Sequence, residues 1–213
     1  MSIPYYPVFL DLRGKRCVVI GGGPLAAQKA LGLVQAEASV EVYAPEVVPE
    51  LLESPVAVFR RPYRKGDLAG ARLAIDAGGD PLVTAVARRE ADEQGVLLNV
   101  VDVPAACDFI APAVVKRGPL QVAISTSGES PFLASALRRR LETELGEEWR
   151  ELVELVGEVR RDLRRRRVPV VDQTRIYGRL LDSSILDLLR EGAVAAARRE
   201  IARVVREDEL VNR

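Results

Sequence analysis

Short apolar runs alternate with stretches of helical periodicity from residue 8 to about residue 125. RCVVI, at residues 16–20, is followed by a helical pattern from Pro24 to about Glu37, then by SVEVYA, PEVVPELLES and VAVFRR. The rhythm continues with ARLAIDA, a helical segment from Pro81 to Gly95, VLLNVVD, and LQVAIST from Leu120. Brief β-rich runs separated by helices are the mark of βαβ units, so the pattern predicts an α/β fold built on an open parallel sheet, with LQVAIST as its final run.

The pattern changes after Gly128. Leu133, Leu137, Leu141 and Leu145 recur at helical spacing, and Trp149, Leu152, Leu155 and Val156 carry the apolar stripe onward between many charges. This half is expected to be helical. VPVVDQTR, at residues 168–175, interrupts it with a proline, and a last helical stretch is expected from about Asp182 to Val205, with Gly192 as a break.

Composition narrows the chemistry. The 213 residues, 48% of them hydrophobic, can bury a real core, and 31 Lys plus Arg balance 31 Asp plus Glu. No overall field draws such a chain to nucleic acid or to an anionic membrane, so an anionic partner has to be held locally. The absence of histidine removes Ser-His-Asp and Cys-His nucleophile systems and the usual zinc and haem ligand sets. Acid–base work falls to carboxylates, Lys, Tyr, Cys or a cofactor, and no metal site is expected. Two distant cysteines, Cys17 and Cys107, form no disulfide framework. With no signal-like start and no apolar run of membrane-spanning length, the expected location is the cytoplasm. The basic run RRDLRRRR, residues 160–167, lies among acidic neighbours without interleaved aromatics. It reads as a solvated helix end, not as a nucleic-acid surface.

One turn carries specific chemistry. Gly21, Gly23 and Ala26 form G-x-G-x-x-A between the first strand and the first helix. The first small residue permits the turn, the second lets a pyrophosphate approach the backbone, and the third lets helix and strand pack closely. The acidic residue expected about 20 positions on, for the ribose hydroxyls, is not cleanly present. The second strand ends VEVYAPE, with Glu41 inside the strand and Glu46 beyond a proline.

YPVFLDLRGKRCVVIGGGPLAAQKA, YRKGDLAGARLAI and LLNVVDVPAACDFIAPAVVKRGPLQVAISTSGESPFLASALRRRLE together resemble the NAD-dependent precorrin-2 dehydrogenases of sirohaem biosynthesis. Some members of that family also insert iron into sirohydrochlorin as ferrochelatases, and others form the N-terminal part of sirohaem synthases. The resemblance implies three regions: an NAD-binding Rossmann domain at 1–113, a dimerisation region at 114–145, and a C-terminal helical domain at 146–213. It implies a homodimer with its active site in a cleft beside the cofactor domain, and oxidation of precorrin-2 to sirohydrochlorin with NAD as hydride acceptor.

Asp102 matches the family's catalytic aspartate, and its place after an apolar strand agrees with ligand binding at the carboxyl edge of such sheets. The resemblance places NAD against Gly21, Gly22, Gly23, Pro24, Leu25, Ala26, Ala44, Pro45, Gly78, Asp80 and Val101. It places the tetrapyrrole against Asn99, Lys116, Arg117, Ser125, Thr126 and Ser127. Arg138 to Arg140 are further cationic candidates for the substrate carboxylates, and Ser130 followed by Pro131 is an ordinary helix start.

This chain departs from many relatives after ARLAI. They read Ala-Thr-Asp-Asp-Pro and then an asparagine, whereas this chain reads DAGGDPLVT, with Thr84 at the asparagine position. Two other readings therefore stay open: a chelatase without dehydrogenase activity, and a tetrapyrrole- or nucleotide-binding module.

Overall fold

The computed structural model describes residues 4–211. Residues 1–3 and 212–213, the outer ends of the first and last expected regions, lie outside the described residues. The chain divides into two compact units, Met1–Ala111 and Pro112–Arg213.

In the first unit, β1 (Arg16–Ile20), β2 (Ser39–Tyr43), β3 (Ala57–Phe59), β4 (Leu73–Asp76) and β5 (Leu97–Val100) form one parallel sheet in the order β3-β2-β1-β4-β5. Alternation along β1 decides what each face holds. Cys17 and Val19 pack with Val40, Val42 and Ile75 against Ala26, Ala27, Ala30 and Leu33 of α1 (Pro24–Gln35) and Leu51 of α2 (Pro49–Leu52). Val18 and Ile20 pack on the other side with Ala74, Leu98 and Val100 against Ala87 and Ala91 of α3 (Pro81–Gln94). Both faces are covered, which is why these strands read as continuous apolar runs. This is the doubly wound, Rossmann-type α/β arrangement expected from the sequence.

LQVAIST does not join that sheet. β7 (Leu120–Ile124) pairs antiparallel with β6 (Ala113–Arg117) in a separate two-stranded sheet of the second unit. Only Gly118 and Pro119 lie between them, and a parallel crossover needs a dozen or more residues. Gly118 turns the hairpin at φ +55°, and a Cβ there would stand 2.5 Å from Arg150 Cγ.

The rest of the second unit is helical: α4 (Pro131–Glu144), α5 (Glu148–Arg165), α6 (Val170–Leu181), α7 (Ile185–Arg190) and α8 (Val194–Val211). Residues 170–175, expected to interrupt the helices, open α6 instead. Pro169 stands just outside its first turn, where a missing N–H costs nothing. The long stripe expected from Leu133 onward is also split. Leu152, Leu155 and Leu163 of α5 enter a core with Ile176, Leu180, Ile185, Leu189 and Ile201. On α4, by contrast, only Ala134 is buried, and Phe132, Leu133 and Leu137 are 78%, 49% and 39% exposed. Gly192 does separate α7 from α8, at φ +72°. No helix among the described residues is long and apolar enough to cross a membrane.

Candidate active site at the carboxyl edge of the sheet

The chain leaves β1 for β2 on one side and later returns to β4 on the other, so a crevice opens beyond the carboxyl ends of β1 and β4. The three glycines after β1 line it in different ways. Gly21 has φ +115°, and a Cβ there would lie 2.9 Å from Ala77 C and Gly78 N. A Cβ at Gly22 would lie 1.9 Å from the Glu46 carbonyl oxygen, and the Gly22 carbonyl accepts from Val48 N–H at 2.8 Å. These two glycines let neighbouring loops close on the turn. Gly23 meets nothing within 4 Å. It is the N-cap of α1, with no side-chain cap and with Pro24 in the first turn. The space a Cβ would fill at Gly23 therefore faces the open N-terminus of a helix, which suits a phosphate group. Ala26 is fully buried, and Leu25 and Pro24 are exposed at the helix start.

Beyond β2, Ala44 is buried and Pro45 is exposed. Glu41 is committed elsewhere: Arg16 donates to it through Nε at 3.0 Å and Nη2 at 2.6 Å, and the Tyr43 hydroxyl donates at 2.7 Å. The Arg16 guanidinium holds the Glu41 carboxyl below the usual carboxylate range. Burial, then the bond to Glu41, pushes the Tyr43 hydroxyl up to about 12. Tyr43 stacks on Phe59 with ring centroids 4.7 Å apart, and the Arg61 guanidinium lies 4.7 Å over the Tyr43 ring.

The altered loop after β4 has an internal logic that its sequence does not advertise. Asp76 is buried. Its Oδ1 accepts from Gly78 N–H at 3.0 Å and its Oδ2 from the Thr84 hydroxyl at 2.6 Å. A Cβ on Gly78 would stand 3.4 Å from Asp76 Oδ1 and 3.9 Å from Gly21 Cα, so this carboxylate lies beside the glycine turn. Asp80 is the N-cap of α3 and accepts from Leu82 N–H at 2.8 Å. Its carboxylate is engaged in capping.

Asp102 follows β5 at φ +61°. It is exposed, and its carboxylate bonds to no other described residue. Val101 just before it donates its N–H to the Asp76 carbonyl at 2.9 Å, tying the Asp102 segment to the end of β4. Asn99 is buried, and its amide donates to the Phe109 carbonyl at 2.9 Å and to Cys107 Sγ at 3.5 Å. The expected substrate contact at Asn99 thus has its amide nitrogen turned into the protein.

In the second unit, Lys116 is exposed and makes no side-chain hydrogen bond or ion pair to a described residue. Arg117 is different. It donates to the carbonyls of Leu145, Glu142 and Lys116 at 2.7, 2.8 and 2.9 Å. That guanidinium caps the carboxyl end of α4, where cations suit the helix dipole, and offers little to a substrate. Ser125 Oγ accepts from Ser127 N–H and Thr126 Oγ1 from Ser130 N–H, each at 3.0 Å. Their hydroxyl protons remain to be donated. Ser127 has φ +53°, and Ser130 caps α4 with Pro131 in its first turn.

Three features escaped sequence reasoning. The Asp76–Thr84 bond joins a strand end to a helix start across a loop, and its only sequence cue is the Asp80-Pro81 helix start that fixes where α3 begins. The Arg16–Glu41 pair joins residues of two adjacent strands that lie near each other in the parallel register, Arg16 opposite Ser39, which is knowable only once β1 and β2 are paired. The third, the thiol of Cys107, gave no signal beyond its residue type.

Residues 8–113 match the family model described as "Putative NAD(P)-binding", and residues 117–144 match "Sirohaem biosynthesis protein central". The siroheme synthase of Chromobacterium violaceum is 37% identical over 202 residues, covering 92% of this chain and 43% of that protein. The siroheme synthase of Azotobacter vinelandii is 40% identical over 177 residues, covering 81% of this chain and 38% of that protein. The chain thus spans less than half the length of these curated relatives. Among solved structures, "SirC, precorrin-2 dehydrogenase" superimposes with a TM-score of 0.77 at 26% identity, over 95% of this chain and 100% of that one.

Proposed function

Because the chain belongs to the family of precorrin-2 dehydrogenases and the matching part of sirohaem synthases, we propose that it oxidises precorrin-2 to sirohydrochlorin with NAD. The observation that carries this reading is the pairing of two features on one sheet edge: the open space at Gly23 after β1 and the unengaged Asp102 after β5. NAD, when bound, supplies the hydride acceptor. The N-terminus of α1 would hold its pyrophosphate, with Gly21 and Gly22 shaping the turn, and Ala44, Pro45, Gly78 and Val101 are the further residues that would contact it. The hydride leaves a carbon of the tetrapyrrole and the accompanying proton leaves another position of the conjugated macrocycle, and Asp102 would accept that proton at its carboxylate. Lys116 and the hydroxyls of Ser125, Thr126 and Ser127 are the groups we assign to the substrate carboxylates.

The test is an anaerobic assay of the purified protein with enzymatically generated precorrin-2, following NADH and sirohydrochlorin together. Equal formation of both, dependent on NAD and reduced to a small but measurable residual rate in Asp102→Asn, is the expected result. No turnover with intact protein overturns the reading.

One observation favours a second reading, a chelatase alone. Asp76 sets a buried carboxylate beside the turn and takes up the Gly78 N–H, both unfavourable to a bound pyrophosphate. That reading predicts iron insertion into sirohydrochlorin with no effect of NAD, and no measurable NAD binding by calorimetry.

We further place the protein in the cytoplasm as a homodimer. The reading of 114–145 as the dimerisation region is supported by the apolar side chains of Val114, Phe132, Leu133 and Leu137, which the chain leaves exposed.

A further inference from the structure

Asp102 sits in the left-handed region, which residues other than glycine adopt uncommonly and Asp more readily than most. The Cys107 thiol bonds to the backbone on both sides of it. Its sulfur accepts from Val100 N–H at 3.1 Å. Its S–H is shared between the carbonyls of Val100 at 3.1 Å and Val103 at 3.3 Å. One side chain therefore grips the backbone two residues before Asp102 and one residue after it. Burial raises the Cys107 thiol above its ordinary range, so it keeps the proton it donates.

Other bonds hold the rest of this return. Asp108 N–H donates to the Leu98 carbonyl at 2.8 Å, and Leu98 N–H donates to Asp108 Oδ2 at 2.8 Å. Arg88 reaches Asp108 Oδ2 at 2.8 Å, and Asn99 reaches the Phe109 carbonyl. The segment stays anchored to β5 without the thiol. Across residues 100–103 themselves the thiol adds its contacts to two backbone bonds, Val101 N–H to the Asp76 carbonyl at 2.9 Å and Val103 N–H to the Val100 carbonyl at 3.2 Å, and among the described residues it is the one side chain that bonds on both sides of Asp102.

We propose that Cys107 is a positioning residue for Asp102, fixing by its three backbone contacts the direction in which the carboxylate is presented. The proposal rests on the reading of Asp102 as the proton acceptor.

The experiment compares Cys107→Ala and Cys107→Ser, each in the wild-type chain and in Asp102→Asn, under the anaerobic assay. Calorimetry of NAD binding and thermal midpoints accompany it. A misplacement of about 1 Å near a reacting group costs up to roughly 100-fold in rate. The expected result is a kcat for Cys107→Ala lowered by roughly 10-fold or more, with the NAD dissociation constant unchanged. The serine variant, which keeps a donor and an acceptor, should recover most of the loss. In Asp102→Asn the alanine change should cost nothing further, because the group it positions is gone. Wild-type kcat in Cys107→Ala overturns the proposal, as does an equal loss in both backgrounds or a parallel loss of NAD affinity. Wild-type turnover in Asp102→Asn overturns the reading of Asp102 and the proposal with it, and is seen without touching Cys107. Should the alanine variant fail to fold, Cys107→Val, which fills the space of the thiol without its bonds, carries the same comparison.

Discussion

The Thr84 hydroxyl donates to the Asp76 carboxylate at 2.6 Å, joining the first turn of α3 to the carboxyl end of β4. Removing it leaves an oxygen of a buried carboxylate without its hydroxyl donor, which costs about 1–3 kcal/mol. Thr84→Val should lower the unfolding free energy measured in urea by that amount, and Thr84→Ser should restore it. Asp76→Asn keeps the shape of the pair and removes a charge from beside the glycine turn. NAD affinity should then rise several-fold in calorimetry; no rise would mean that this carboxylate does not oppose the pyrophosphate.

The three glycines separate a turn from a cradle. Gly21→Ala forces a Cβ against Ala77 and Gly78 from a left-handed backbone, and Gly22→Ala drives one into the Glu46 carbonyl. Both should destabilise the fold by more than 1–2 kcal/mol, on the order of other severe overpacking. Gly23→Ala meets no protein atom within 4 Å, and the φ of –79° at Gly23 suits any residue. Its thermal stability should fall by no more than about 1 kcal/mol, the scale of an N-cap change. Its NAD affinity should nevertheless fall by roughly 10-fold or more, because the methyl group occupies the approach of the phosphates. Unchanged affinity would mean that the turn holds no dinucleotide.

Glu41 gives the fold a pH dependence whose sign is fixed. Bonding to Arg16 lowers its folded-state pKa below the ordinary 4.5. The stabilisation is therefore complete above that value and is lost as pH falls through the lower folded-state value. Glu41→Gln should cost about 1 kcal/mol at pH 7, the scale of a partly exposed ion pair, and should reduce the loss of stability over the acid range below the ordinary 4.5. A urea-denaturation series across that range reads both effects. An unaltered pH profile would remove Glu41 as a source of acid sensitivity.

The Rossmann-type sheet was legible because its central strands β1 and β4 are buried on both faces and two glycines of the turn, Gly21 and Gly22, meet steric demands that a side chain does not satisfy. The hairpin of β6 and β7 was not, because LQVAI has the same apolar character as a parallel strand. Only the two-residue connection at Gly118 and Pro119 distinguishes it. Asp102 stood out by its place after a strand together with the family resemblance. What orients it did not, since the bonds of Cys107 run to backbone atoms, and backbone partners leave no residue pattern. Arg117 looked like a substrate cation for the same reason: the carbonyls of α4 that it caps are invisible in a sequence.

The four-residue leucine spacing predicts a helix, and α4 forms, yet Phe132, Leu133 and Leu137 are exposed within the chain. Covering Phe132, 78% exposed, in a dimer would contribute about 1.5–3 kcal/mol and Leu137, 39% exposed, correspondingly less, and a charge placed there would instead have to be desolvated. Leu137→Glu should therefore weaken self-association by roughly 100-fold, as about 3 kcal/mol corresponds to two decades. Sedimentation or light scattering would show a dimer becoming a monomer at micromolar concentration. Far-ultraviolet circular dichroism should stay unchanged, because among the residues of α4 only Ala134 is buried. A wild-type monomer at that concentration would remove this face as a dimer contact. A dimer untouched by the charge would place the contact elsewhere on the chain.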